Sequence, residues 1–141
     1  MPRFLITDDD EVAHAFLRHV LLALGEVSHA FSGQGAVEAC GRALDEGRPF
    51  DVVFLDVLMP GMDGVQTLNA VQARHDEAGA KRPGFVLATC LSLSTPPLDA
   101  LPPGPHWTHL HKPFDRREAL AALGVLGLAQ PPAAEEGEDF W

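Results

Sequence analysis

Val52-Val53-Phe54-Leu55-Asp56-Val57-Leu58-Met59-Pro60-Gly61-Met62-Asp63-Gly64 is the stretch that decides how this 141-residue chain folds. Its first four residues are apolar, mostly β-branched or aromatic, and predict a strand buried on both faces. That strand delivers a carboxylate, Asp56, at its end, and Pro60, Gly61 and Gly64 break the chain just beyond. Strands buried on both faces belong to parallel sheets, and open parallel sheets gather ligands at the carboxyl ends of their strands. One such acid proves little, because Asp also caps helices. The flanking sequence has to decide.

Working outward, strand and helix patterns alternate. Phe4-Leu5-Ile6-Thr7 predicts a first strand, which runs into Asp8-Asp9-Asp10-Glu11. A helix follows over about Glu11 to Leu24, with Val12, Phe16, Val20 and Leu24 on one face and Gly25 as its stop. Val27 to Phe31 reads as a second strand and Ala36 to Glu46 as a second helix. Beyond the central strand, Val65, Leu68 and Val71 mark a helix running to about Glu77. Phe85 to Thr89 and Trp107 to His111 supply two more strands, and Asp115 to Leu128 a last helix. Such alternation predicts an α/β fold, a parallel sheet covered on both faces. Between Thr89 and Trp107 the pattern fails. Pro96, Pro97, Pro102, Pro103 and Pro105 leave room for one turn of helix at most, so an extended, mobile loop is expected from Ser92 to Pro105.

Composition narrows the function classes. Hydrophobic residues make up 46% of the chain, which suits one globular domain. Twenty acidic against ten basic residues give a net charge of −10, which repels nucleic-acid phosphates, so no nucleic-acid partner is expected. The longest small-apolar run, Ala119 to Ala129, is too short to span a membrane, and with Met1-Pro2-Arg3 running straight into the first strand no signal peptide is expected. Cys40 and Cys90 form no framework and are expected to be reduced thiols. A cytoplasmic domain is the expectation, with residues 1–128 folded and 129–141 an acidic, flexible tail.

With the first and third strands as neighbours, Asp8, Asp9 and Asp56 would converge on one crevice, with Thr89 and Lys112 ending the next two strands. Packed carboxylates call for a hard cation, and Mg²⁺ leaves coordination sites open for a phosphoryl group. Lys112 and Thr89 supply a charge and a hydroxyl suited to phosphoryl oxygens. Aspartate is itself a phosphoryl acceptor.

At these residues the chain resembles the receiver domain of two-component response regulators. The resemblance rests on Asp8-Asp9 after a short strand, Leu55-Asp56 with Met59-Pro60-Gly61-Met62-Asp63-Gly64, Thr89, and Lys112-Pro113-Phe114. It covers about Arg3 to Leu128. It implies a doubly wound five-stranded parallel sheet in the order 2-1-3-4-5, flavodoxin-like, here with the fourth helix short or replaced by the Pro-rich loop. It implies Asp56 as the phosphoacceptor, Mg²⁺ held by Asp9, by Asp56, by Asp8 through water and by the Leu58 carbonyl, Thr89 as the switch hydroxyl, and Lys112 as the phosphate-contacting lysine before a cis proline. A histidine kinase or histidine phosphotransfer protein would be the donor and a downstream protein the target, in a stand-alone module. The place of the family's aromatic switch residue, three before the lysine, holds His109, with Trp107 two earlier. The remaining histidines lack ligand spacing and read as solvated or core side chains. Two other readings stay open. One is a receiver acting as a scaffold without phosphorylation. The other is a phosphatase of the haloacid dehalogenase type, which wants a second acid where this chain has Leu58.

Overall fold

The computed structural model describes residues 1–101 and 106–128. Five parallel strands form one sheet in the order β2-β1-β3-β4-β5, namely β1 (Arg3–Thr7), β2 (Glu26–Ala30), β3 (Val52–Asp56), β4 (Gly84–Thr89) and β5 (Trp107–His111). β3 lies at the centre and every residue of it is buried, as its unbroken apolar run requires. Helices α1 (Glu11–Leu21) and α4 (Arg116–Val125) belong to the face that carries Phe4, Ile6, Phe54 and Val86. Helices α2 (Gly33–Asp45) and α3 (Gly64–Glu77) cover the opposite face, against Leu5, Val53, Leu55, Phe85 and Leu87. The sheet is doubly wound, and its two cores follow from the period-two alternation of β1, β3 and β4.

Caps set where the helices begin. Asp10 accepts a hydrogen bond from Val12 N at α1, and Ser32 from Gly35 N at α2. Asp63 and Gln66 form a capping box at α3, as Asp115 and Glu118 do at α4. Gly64 sits against the backbone at the end of β3: a Cβ there would lie 2.8 Å from Val57 Cα and 2.9 Å from Asp56 O. Glycine is therefore what lets the loop after Asp56 close so tightly, and Gly64 N donates to Val57 O at 2.8 Å.

Two expectations about α1 are corrected. The buried face carries His14, Leu17, Val20 and Leu21, while Val12 is 74% exposed and Phe16 is on the outside. Residues four apart advance about 40° around a helix, so a stripe built on that spacing alone wraps away from the sheet over three steps. The helix also ends earlier than expected, with Leu22 as its C-cap. Gly25 serves a different purpose, since a Cβ there would lie 2.1 Å from the carbonyl oxygen of Pro2.

Between β4 and β5 the chain makes a 3₁₀ turn, Leu98–Ala100, in place of a full helix. Thr95 N bonds Ser92 O, and Leu98 N bonds Thr95 O, so the segment is a run of turns. Leu98 is 2% exposed and joins the core on the Leu5 face, with Leu91 and Leu101 packed beside it. The expectation of an extended loop is thus replaced, up to Leu101, by a pinned one. Residues 102–105 and the acidic tail expected over 129–141 lie outside the described residues.

Candidate functional site

The order β2-β1-β3 reverses the chain's winding between β1 and β3, and the crevice outside their carboxyl ends is where such sheets bind ligands. Both strands end there in acids. Carboxylate oxygens of Asp8, Asp9 and Asp56 all lie within 4.8 Å of one another. Asp8 and Asp56 are buried and Asp9 is exposed, so the cluster opens to solvent on one side.

Lys112, delivered by the turn after β5, reaches over this cluster. Its Nζ lies 3.2 Å from Asp8 Oδ2 and 3.3 Å from Asp56 Oδ1. Burial alone would lower its pKa, but the Asp56 and Asp8 carboxylates outweigh burial and raise it. Asp56 responds in the opposite sense to its crowding. Burial first, and then the negative charge of Asp8, push its carboxyl above the ordinary range, against the pull of Lys112. One lysine against three acids leaves negative charge uncompensated. A hard divalent cation fits this all-oxygen donor set and that deficit.

The other expected residues lie on the neighbouring strand and in the loop after β3. Asp56 pairs with Ala88, so Thr89 stands one residue further along the neighbouring strand. Its buried hydroxyl accepts a hydrogen bond from Leu91 N at 3.1 Å. Leu58 follows Asp56 by two residues in the loop, with its side chain 51% exposed. The Lys112-Pro113 bond is cis, as expected. Asp10 stays out of the cluster and caps α1.

On β5 the register sets Trp107 beside Phe85, His109 beside Leu87 and His111 beside Thr89. Trp107 and His109 therefore share a face, and Trp107 packs against the core there. Burial lowers the pKa of His109, a hydrogen bond to the backbone of Leu91 opposes this, and His111 adds to it. The buried Nε2 of His109 has no hydrogen-bond partner among the described residues. His14 is the residue that sequence reasoning passed over. It lies under the acidic loop, and its Nε2 meets the carbonyl oxygen of Asp8 at 2.8 Å. It sits on the buried stripe of α1, six residues after Asp8, and no sequence signal marks that stripe as the buried one.

A doubly wound flavodoxin-like sheet with an acidic pocket at its switch point defines the class of protein. Within that class, the chain belongs to the response regulator receiver domain family, whose model matches residues 4–124. It is thus a signalling domain of the two-component type. It is similar to the protein PetR of Rhodobacter capsulatus, with 28% identity over 99% of this chain and 54% of PetR. With the sensor protein GacS of Pseudomonas syringae pv. syringae it shares 32% identity over 95% of this chain and 14% of GacS. The chain therefore spans about half of PetR and a much smaller share of GacS. Among solved structures, the chemotaxis protein CheY4 of Vibrio cholerae superposes with a TM-score of 0.68 at 26% identity, covering 89% of this chain and 98% of that one. A receiver domain protein of Methanospirillum hungatei shares the fold, with a TM-score of 0.65 at 24% identity over 89% of this chain and 94% of that one. No helix among the described residues is long and apolar enough to cross a membrane.

Proposed function

We propose that Asp56 accepts a phosphoryl group from a histidine kinase or a histidine phosphotransfer protein, and that the phosphorylated domain signals through contact with a downstream protein. The observation behind this reading is the convergence of Asp8, Asp9 and Asp56 under the Lys112 ammonium at the sheet's switch point. In the transfer, an Asp56 carboxylate oxygen bonds to phosphorus while the bond from phosphorus to the donor's imidazole nitrogen breaks. The nitrogen leaves with the electron pair, and a proton carried on the other nitrogen of the donor ring makes the product neutral imidazole. The chain supplies position and charge. Lys112 is held where it contacts the incoming phosphoryl oxygens, and the Thr89 hydroxyl, one strand over, gives up its bond from Leu91 N to reach them. Mg²⁺, when bound, neutralises charge on the phosphoryl oxygens. Asp9, Asp56, Asp8 through water and the Leu58 carbonyl are the groups that would hold it.

A phosphatase of the haloacid dehalogenase type fits less well, because Leu58 offers no proton to a leaving group. Incubation with acetyl phosphate and Mg²⁺, followed by intact mass, tests the proposal. The expected result is one added phosphoryl group on the natural chain and none on Asp56→Ala. Equal phosphorylation of that variant would move the chemistry elsewhere, and an unmodified natural chain would favour the scaffold reading.

A further inference from the structure

We infer that His14 is a positioning residue for the acidic pocket, holding the β1–α1 loop so that Asp8 and Asp9 are set for a cation before one arrives. The inference rests on reading the pocket as a cation site. His14 is 4% exposed and stacks on Phe31 with ring centroids 4.1 Å apart. Its Nε2 lies 2.8 Å from the Asp8 carbonyl oxygen, which can only accept, so Nε2 carries the hydrogen and donates it. In the neutral ring Nδ1 then bears the lone pair. It faces His29 Nδ1 at 2.7 Å, and His29 is the donor in that contact. Two imidazoles thus form a chain that ends on the backbone of a pocket residue.

Asp8 is restrained from every side. Its N–H donates to Ala30 O at 3.2 Å, Oδ1 accepts from Asp10 N at 2.9 Å, and Oδ2 meets Lys112. The carbonyl is the remaining polar group, and His14 takes it. Removing that anchor frees the peptide linking Asp8 to Asp9, and with it the direction of the Asp9 carboxylate. Carboxylates that must be reoriented bind a cation more weakly, because ordering them then opposes binding.

The bland alternative is a core histidine that merely fills space beneath Phe31. Two variants separate the readings. His14→Phe keeps the ring and its stacking but has no donor. His14→Gln loses the ring but keeps an N–H that reaches the same carbonyl. Mg²⁺ titrations by calorimetry, with thermal stability measured in the metal-free state, are the readouts. The expected result is affinity weakened roughly tenfold in His14→Phe, the lower end of what loss of an outer partner does. His14→Gln should stay close to the natural chain in affinity even if its stability falls further. A folded His14→Phe that binds Mg²⁺ like the natural chain overturns the inference, as does a folded His14→Gln that loses as much affinity as His14→Phe. Should His14→Phe fail to fold, His14→Gln is compared with the natural chain alone, and nitrogen NMR of the natural protein gives the tautomer. A hydrogen on His14 Nε2, with a shift of that nitrogen on adding Mg²⁺, supports the inference; an Nδ1-protonated ring overturns it. If the natural chain binds no Mg²⁺, the cation reading itself fails, which is a different result from equal binding by all three proteins.

Discussion

At Asp56 the demands of function and stability oppose each other. Burial and the neighbouring Asp8 raise its pKa, so the folded chain keeps the proton over a window above 3.8 in which the unfolded chain has released it. Stability therefore falls as pH rises through that window and stays lower at neutral pH. Asp56→Asn should then stabilise the metal-free protein at neutral pH, on the order of 1 kcal/mol, read as a melting temperature a few degrees higher. A lower melting temperature would mean that the ion pair with Lys112 outweighs the crowding. Leu58 carries a second expectation. It lies two residues after Asp56 and is exposed. It cannot hydrogen-bond an attacking water, so the acyl phosphate should be long-lived. Leu58→Asn should shorten that lifetime several-fold, followed as loss of phosphoryl mass after the donor is removed. An unchanged or longer lifetime counts against the account. At this scale the meeting of the three acids with Lys112 was legible in the sequence, because strand ends bring them together once the winding is known. His14 was not, since nothing in one sequence shows that its ring meets a backbone carbonyl.

Among the elements, the segment after β4 departs furthest from the strand–helix rhythm. Its prolines announced the missing helix, but they did not reveal that Leu98 plugs the core from a 3₁₀ turn. A lone leucine among prolines has no periodicity to betray it. Leu98→Ala should cost about 2–4 kcal/mol in chemical denaturation. Leu93→Ala, at an exposed position, should stay within about 0.5 kcal/mol. Equal effects would show that Leu98 does not pin the segment. The same anchor restricts where activation can be read out: with Leu98 docked, amide exchange at Leu98, Ala100 and Leu101 should be slowed before phosphorylation, while Ser92 to Ser94 should gain protection with beryllofluoride. α1 teaches a related lesson. Its existence and cap at Asp10 were readable, but its buried face was not, because two apolar stripes compete and the sheet selects the one through Leu17 and Leu21.

For the whole molecule, the five-stranded order followed from the recognised motifs, while alternation alone established only a covered parallel sheet. Two histidines contribute a pH dependence opposite in sign to that of Asp56. His29 and His109 both have lowered pKa values, with burial the largest cause in each. Below about 6.5 the unfolded chain takes up protons that the folded chain resists, so stability is full above that value and declines as pH falls through it. Denaturation midpoints measured between pH 7.5 and 5.5 should show the decline, and His109→Phe should make it shallower. An unaltered slope would assign the effect to other groups.

The bridge from Lys112 to Asp8 and Asp56 also has a consequence in time. A ribosome makes the chain from its amino end, so Asp8 and Asp56 emerge well before the lysine, which lies 104 residues after Asp8 and 56 after Asp56. The residues of the first three strands are therefore all made before the ammonium that bridges their acids. For that interval the acidic segments carry their charge without Lys112 beside them, and only ions from solution can offset it.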